Sequence, residues 1–209
     1  MNLISLNLKD FTTEVASSSP APGGGSVAAY AGAQGFALIS MVCRLTLGRE
    51  KFKQVETEVK NLLEMSEHKQ EQLLTLVDRD TKGFQSVMDA LSMPKQTDDE
   101  KGLRRNALEK ATLQAAEIPL ETADLCLQGL QMVSGLLNKG NSNALSDMGV
   151  ASLMLKAGLE GALYNVRINA LGLKSLENKQ ALLDKCDLLN QQGETILQGF
   201  RHDILSLLR

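Results

Sequence analysis

One carboxylate sits where an apolar side chain belongs. Leu73, Val77, Asp80, Phe84, Val87 and Leu91 follow one another at spacings of 4, 3, 4, 3 and 4. That rhythm marks a helix seam turned toward a core, and Asp80 occupies one of its positions. Asp78 points about 200° away around the same helix. The two acids therefore do not form a catalytic pair. The spacing predicts a solvated Asp78 and an Asp80 in or beside the core. A desolvated carboxylate holds its proton more tightly than one in water, which suits a general acid or base. A structural aspartate paired with a buried Arg or Lys would satisfy the same position. The residues alone leave both readings open.

Two loop-to-helix junctions offer polar groups that could serve such an acid. Pro22-Gly23-Gly24-Gly25-Ser26 precedes an Ala-rich segment, and free amides at a helix start attract anions or carboxylates. Gly23 to Ala28 matches GxGxxA in form, but no strand precedes it and no P-loop Lys follows, so a nucleotide site is not expected. Capping by Ser26 after a flexible turn explains the stretch equally simply. The second junction runs from Gly140 through Asn141, Ser142, Asn143 and Ser146 to Asp147. Asp147 and Asn165 are 18 residues apart, five helical turns on one face and about 27 Å along the axis. Asn169 follows one turn later. Amides on such a face need partners, either a ligand or neighbouring loops, and capping by Asn143 and Ser146 competes with a binding role.

Other chemistries find little support. His68 and His202 are the only histidines, and HExxH, EF-hand and GxSxG patterns are missing. Cys43, Cys126 and Cys186 are odd in number and far apart, with no CxxC. Neither a disulfide framework nor a structural zinc site is expected. No metal and no cofactor are called for. Lys and Arg total 22 against 25 for Asp and Glu, a balance that argues against a nucleic-acid or polybasic membrane-surface protein. Lys101 to Arg105 reads as a solvated face.

The elements that must position these groups are helices. The 209 residues suit one domain over 1–209, 43% hydrophobic and only 3% aromatic, so the core must be built from Leu, Ala, Val and Met. Helical periodicity recurs and strand signals are scarce. The pattern predicts helices over about Leu6–Ala16, Ser26–Leu47, Phe52–Leu91, Thr97–Leu137 with Pro119 as a kink or interruption, Asn143–Leu171 and Leu176–Leu208. The result is an all-α bundle of about six helices with one long helix and two central helices rich in Ala and Gly. Glycine inside a helix costs about 1 kcal/mol relative to alanine, so those two helices are expected to pack closely on each other or on a second subunit. Val27 to Cys43 is interrupted by Gln34 and Ser40 and falls short of a membrane span. Met1 to Asp10 lacks the features of a signal peptide. The expected compartment is a reducing cytoplasm.

Taken in order, eight motifs resemble a known family. They are Ala21-Pro22-Gly23-Gly24-Gly25-Ser26-Val27-Ala28-Ala29, Gly48-Arg49, Leu76-Val77-Asp78-Arg79-Asp80 with Phe84, Met93-Pro94-Lys95, Ile118-Pro119-Leu120, Gly140-Asn141, Ser146-Asp147 and Asn165-Val166-Arg167-Ile168-Asn169. They are similar to the cyclodeaminase domain of formiminotransferase-cyclodeaminase and to the related stand-alone bacterial methenyltetrahydrofolate cyclohydrolases. The resemblance runs from about Phe11 into the last helix. It implies an all-α homodimer acting on a tetrahydrofolate derivative, polyglutamylated forms included. It places the catalytic carboxylate on Asp80, the residue that helical phase also selects. It makes Gly23, Gly24, Gly25, Ser26, Asn141, Asp147, Asn165 and Asn169 substrate contacts, and leaves Phe84 either against the pterin or in the core, and Arg49 and Lys95 either at the glutamate tail or as surface charges.

Two reactions fit the resemblance. One closes 5-formimidoyltetrahydrofolate to 5,10-methenyltetrahydrofolate with loss of ammonia. The other opens the methenyl compound with water to 10-formyltetrahydrofolate. The full-length likeness to the cyclodeaminase domain tips the expectation toward the first. Without a transferase domain in the chain, channelling within one polypeptide is not expected. A non-catalytic folate-binding scaffold is the rival from another class, and the acid retained in the seam argues against it.

Overall fold

Thr97 shows how locally this chain sets its boundaries. Its hydroxyl accepts from the Glu100 amide at 3.2 Å, and the Glu100 carboxylate accepts from the Thr97 amide at 3.0 Å. This reciprocal pair caps two of the orphan donors that start a helix. Asn7 and Ser175 open two further helices by accepting from Asp10 and Asn178. At the other end of the second helix, Gly48 takes φ +72°, the left-handed turn that stops a helix and that glycine adopts without steric cost.

The computed structural model describes residues 2–208. Met1 and Arg209, the two ends of the expected domain, lie outside the described residues. Six α-helices form one domain: α1 Leu8–Val15, α2 Gly24–Thr46, α3 Glu56–Ser92, α4 Asp98–Leu136, α5 Leu145–Gly172 and α6 Leu176–Leu207. Short 3-10 turns cover Leu3–Ser5, Glu50–Val55 and Ser142–Ala144. Among the described residues there is no strand. α2 packs between α3 and α5, α4 lies behind all three, and α6 closes the groove between α4 and α5.

Several expectations are refined. α2 starts two residues before the expected Ser26 start, with Gly23 as its cap. The 3-10 turn takes the first residues expected in α3. α4 passes through buried Pro119 as one helix. α5 starts at Leu145, and the capping side chain before it is Asn141, which accepts from the Asn143 amide. The seam on α3 is buried only in its first half. Leu73 and Val77 are buried, Phe84 and Val87 half-buried, and Leu91 exposed. The cause is geometric. α2 begins opposite Asp80, so beyond that point α3 has lost that neighbour.

α2 is long and apolar enough to cross a membrane by length and composition, but 61% of its apolar stretch is buried within the bundle. Its contact with α5 depends on small residues. A Cβ on Gly158 would lie 2.9 Å from the Ala28 carbonyl oxygen and 3.0 Å from the Gly32 nitrogen, so the two backbones touch. Phe36, Leu73, Leu130, Leu155 and Leu159 fill the surrounding core. Polar groups inside it are paired. Ser40 meets Ser66, which donates to the Phe36 carbonyl at 2.8 Å, and Lys156 reaches Glu194 at 2.5 Å and Glu160 at 3.2 Å.

The close approach gives a direct test. Gly158→Ala is expected to destabilise by about 1–3 kcal/mol, because strain against fixed backbone outweighs the gain in helix propensity. Gly199→Ala in α6 meets open space and should stabilise by roughly 0.5–1 kcal/mol. Denaturant unfolding of both variants reads the contrast.

Candidate functional site

Gly23 starts α2 without a side chain, so the first amides of that helix have no local cap. Asp80 on α3 brings a carboxylate toward them from across the bundle. Its Oδ2 lies 3.1 Å from the Ser26 hydroxyl, in the first turn of α2. The amide end of a helix favours a negative charge. Gly25 makes the approach possible, since a Cβ there would overlap the Asp80 Oδ1 atom. The Ser26 hydroxyl also donates to the Val77 carbonyl at 2.9 Å.

Burial dominates the electrostatics. It raises the Asp80 carboxyl above its ordinary 3.8, against the opposing pull of hydrogen bonding from Ser26. Among the described residues, the ion pairs leave Asp80 aside. Arg79 pairs with Glu121 at 2.9 Å and buried Lys156 with its two glutamates. The alternative of an aspartate neutralised by a buried cation thus has no partner here. Asp78 departs from its expected solvated state. It is half-buried, and its Oδ1 accepts from the Leu3 amide at 2.7 Å, pinning the N-terminal segment.

Four helices bring groups to this point. On α5, Asn165 stands next to Gly24, and its side-chain amide donates to the Gly161 carbonyl at 2.8 Å. Asn169, one turn on, donates to the Ala115 carbonyl of α4 at 3.2 Å. Ala115 and Ile118 lie against Gly83 of α3. Phe84, one turn beyond Asp80, is half-buried because α2 stops short of it. The start of α2 thus has one acid from α3 and two side-chain amides of α5 around it, with the Phe84 ring one turn further along α3. Such a set can move one proton and orient a planar, nitrogen-rich ligand.

The remaining sequence candidates lie elsewhere in this chain. Asn141 is buried at the far end of α2, its amide on the Thr46 hydroxyl at 2.9 Å and its side chain on the Leu45 carbonyl at 3.1 Å. Thr46 is 20 residues from Ser26, about 30 Å along the helix. Arg49 is exposed beyond that end, and Asp147 sits half-buried in the first turn of α5 nearby. Lys95 is exposed at the tip of the α3–α4 hairpin. The structure therefore gathers Gly23, Gly24, Gly25, Ser26, Asp80, Phe84, Asn165 and Asn169, and does not bring Arg49, Lys95, Asn141 or Asp147 to them. Missing from the sequence reading were the clearance at Gly25 and the Val77 carbonyl, which no local pattern signals. Among the described residues, no group of three or more His, Cys, Asp or Glu side chains assembles.

The fold and site define a helical bundle built around one half-buried, partly desolvated carboxylate. A family model described as Formiminotransferase-cyclodeaminase matches residues 7–188, and the chain belongs to that family. It is 38% identical to the methenyltetrahydrofolate cyclohydrolase of Methylorubrum extorquens, over 88% of this chain and 92% of that one. It is 35% identical to the formimidoyltransferase-cyclodeaminase of Mus musculus over 93% of this chain, but spans only 36% of that longer protein. The solved formiminotetrahydrofolate cyclodeaminase of Thermotoga maritima superposes with a TM-score of 0.88, 26% identity and 98% coverage of both chains.

The raised Asp80 carboxyl has a consequence for stability. The folded state holds the Asp80 proton more tightly than the unfolded chain. Stability from this group is therefore greatest below the ordinary 3.8, declines as pH climbs to the shifted value and stays reduced above it. Asp80→Asn removes the cost of the buried charge. Its melting temperature at pH 7 should equal or exceed that of the parent, with the difference shrinking below about pH 4. Paired melting curves at both pH values check this.

Proposed function

We propose that this protein is an enzyme of folate one-carbon chemistry and that its reaction is the hydrolysis of 5,10-methenyltetrahydrofolate to 10-formyltetrahydrofolate. The observation carrying the choice of hydrolysis is the end-to-end likeness to the stand-alone Methylorubrum cyclohydrolase, at 38% identity and 92% of its length. This reverses the preference for cyclodeaminase drawn from the sequence. The deaminase remains the second reading, favoured by the Thermotoga structure with its TM-score of 0.88.

Asp80 carries the chemistry in this proposal. As a carboxylate it takes a proton from water while the water oxygen bonds to the methenyl carbon. Its charge offsets the cationic carbon in a partly dry site. The carbon–N5 bond then breaks as the carbon–oxygen double bond forms. Asp80 returns its proton to N5, and the hydroxyl proton leaves to solvent. Asn165 and Asn169 orient the pterin and Phe84 packs on it. Gly23 and Gly24 let the ligand come close to the start of α2, while Gly25 makes room for Asp80 itself. Arg49, Lys95, Asn141 and Asp147 are too distant within one chain to share these tasks.

A homodimer belongs to the same proposal, and the outer faces of α2 and α5 support it. Val27 and Leu45 on α2 and Leu153, Tyr164 and Ile168 on α5 are exposed apolar side chains, with Gln34 between the first two and Glu160 beside Tyr164. Tyr164 and Ile168 are 68% and 63% exposed. Exposed apolar side chains gathered on two packed helices suit an interface, and a second copy presents a matching set.

Turnover of Asp80→Asn should fall by about 10²–10⁴-fold at unchanged helicity. The assay follows loss of the methenyl chromophore in one cuvette and its appearance from 5-formimidoyltetrahydrofolate, with ammonia, in another. Loss in the first supports hydrolysis. Appearance in the second transfers the assignment to cyclodeaminase. Silence in both removes the enzymatic reading. Ala157→Glu, exposed between Leu153 and Tyr164 on α5, should convert a dimer to a monomer in light scattering.

A further inference from the structure

Ser26 is fully buried, so it is poorly placed to touch a ligand. Its hydroxyl has one proton and three oxygens within reach, the Val77 carbonyl at 2.9 Å, the Asp80 Oδ2 at 3.1 Å and, farther off, the Thr81 hydroxyl at 3.5 Å. A buried carboxyl that cycles between charged and neutral forms raises a difficulty. A donor aimed at the charged form is left short of a partner when the proton arrives. The Val77 carbonyl resolves it, because the hydroxyl can turn there by rotation about one bond.

We propose that Ser26 is a positioning residue for Asp80: its hydroxyl donates to Oδ2 of the carboxylate, turns to the Val77 carbonyl when the carboxyl is protonated, and so lets the acid take and release a proton in place. Gly25 completes the device by leaving room for the carboxylate, since a Cβ there would overlap it. The nearby charges do not replace this control. Asp78 is held by the Leu3 amide, Arg79 is paired with Glu121, and Arg167 on α5 is paired with Asp187. Only burial and hydrogen bonding from Ser26 shift the Asp80 carboxyl.

The catalytic part of this inference rests on the folate reaction proposed above, and the test separates the two. Carbon-detected NMR of the full chain, with the Asp80 carboxyl assigned by its disappearance in Asp80→Asn, gives its titration midpoint without any substrate. Ser26→Ala removes the donor to the charged form, so the midpoint should rise by about one pH unit. Ser26→Cys, near in size but a weak donor, should shift it in the same direction and serves if the alanine variant does not fold. In turnover of 5,10-methenyltetrahydrofolate, the acid limb of the pH profile should move upward with the midpoint, while KM changes less than about twofold. An unmoved midpoint in both variants overturns the proposal. So does a fixed acid limb with a KM raised about tenfold, which would make Ser26 a substrate contact. If the parent protein turns over neither folate, the reaction falls, and the titration still decides the Ser26–Asp80 coupling.

Discussion

The bond between Asp80 and the start of α2 is the constraint on which this molecule turns. A helix that begins with glycines has amides and no side chain to meet them. Here the carboxylate comes from a different helix, 54 residues along the chain from Ser26. The same contact fixes how α2 slides against α3, sets where the core ends, and holds the acid beside the first turn of α2. Desolvation and hydrogen bonding act on it in opposite directions, and desolvation wins. The acid is therefore kept ready to accept a proton without a cation beside it.

The rest of the architecture serves to hold α2 deep in the bundle. Close approach to α5 at Gly158 removes the space that larger residues would need. Paired serines replace apolar contacts where α2 meets α3, and each finds a partner. A chain with so few aromatic rings has little choice. It gains density by bringing backbones together rather than by filling gaps with large side chains.

Most of this fold was legible in the sequence because its signals are local. Thr97 with Glu100, Gly48 and Pro94 punctuate the helices, and the 3.6-residue rhythm does the rest. Errors of a few residues arose where tertiary contacts decide the boundary. α2 starts at Gly24 rather than Ser26 with the Asp80 carboxylate reaching its first turn from afar, and no local pattern carries that information. The site was legible in part. Helical phase alone singled out Asp80. It could not show that Asn141 and Asp147 lie at the opposite end of α2 from Ser26, because chain order is silent on which ends of antiparallel helices meet. Phase also misjudged Asp78, whose partner is the Leu3 amide on a distant segment.

The truncation of α2 relative to α3 has a further consequence. Past Asp80, α3 and α4 continue as a hairpin whose outer turns bury almost nothing. Segments with few buried contacts open at a small fraction of the global unfolding free energy. Amides near residues 88–106 should accordingly exchange with solvent long before those of the α2–α5 pair. Such fraying would loosen the far end of α3 while its contact with Ser26 stays rigid, so that one helix holds the acid in place at one point and yields to solvent at another.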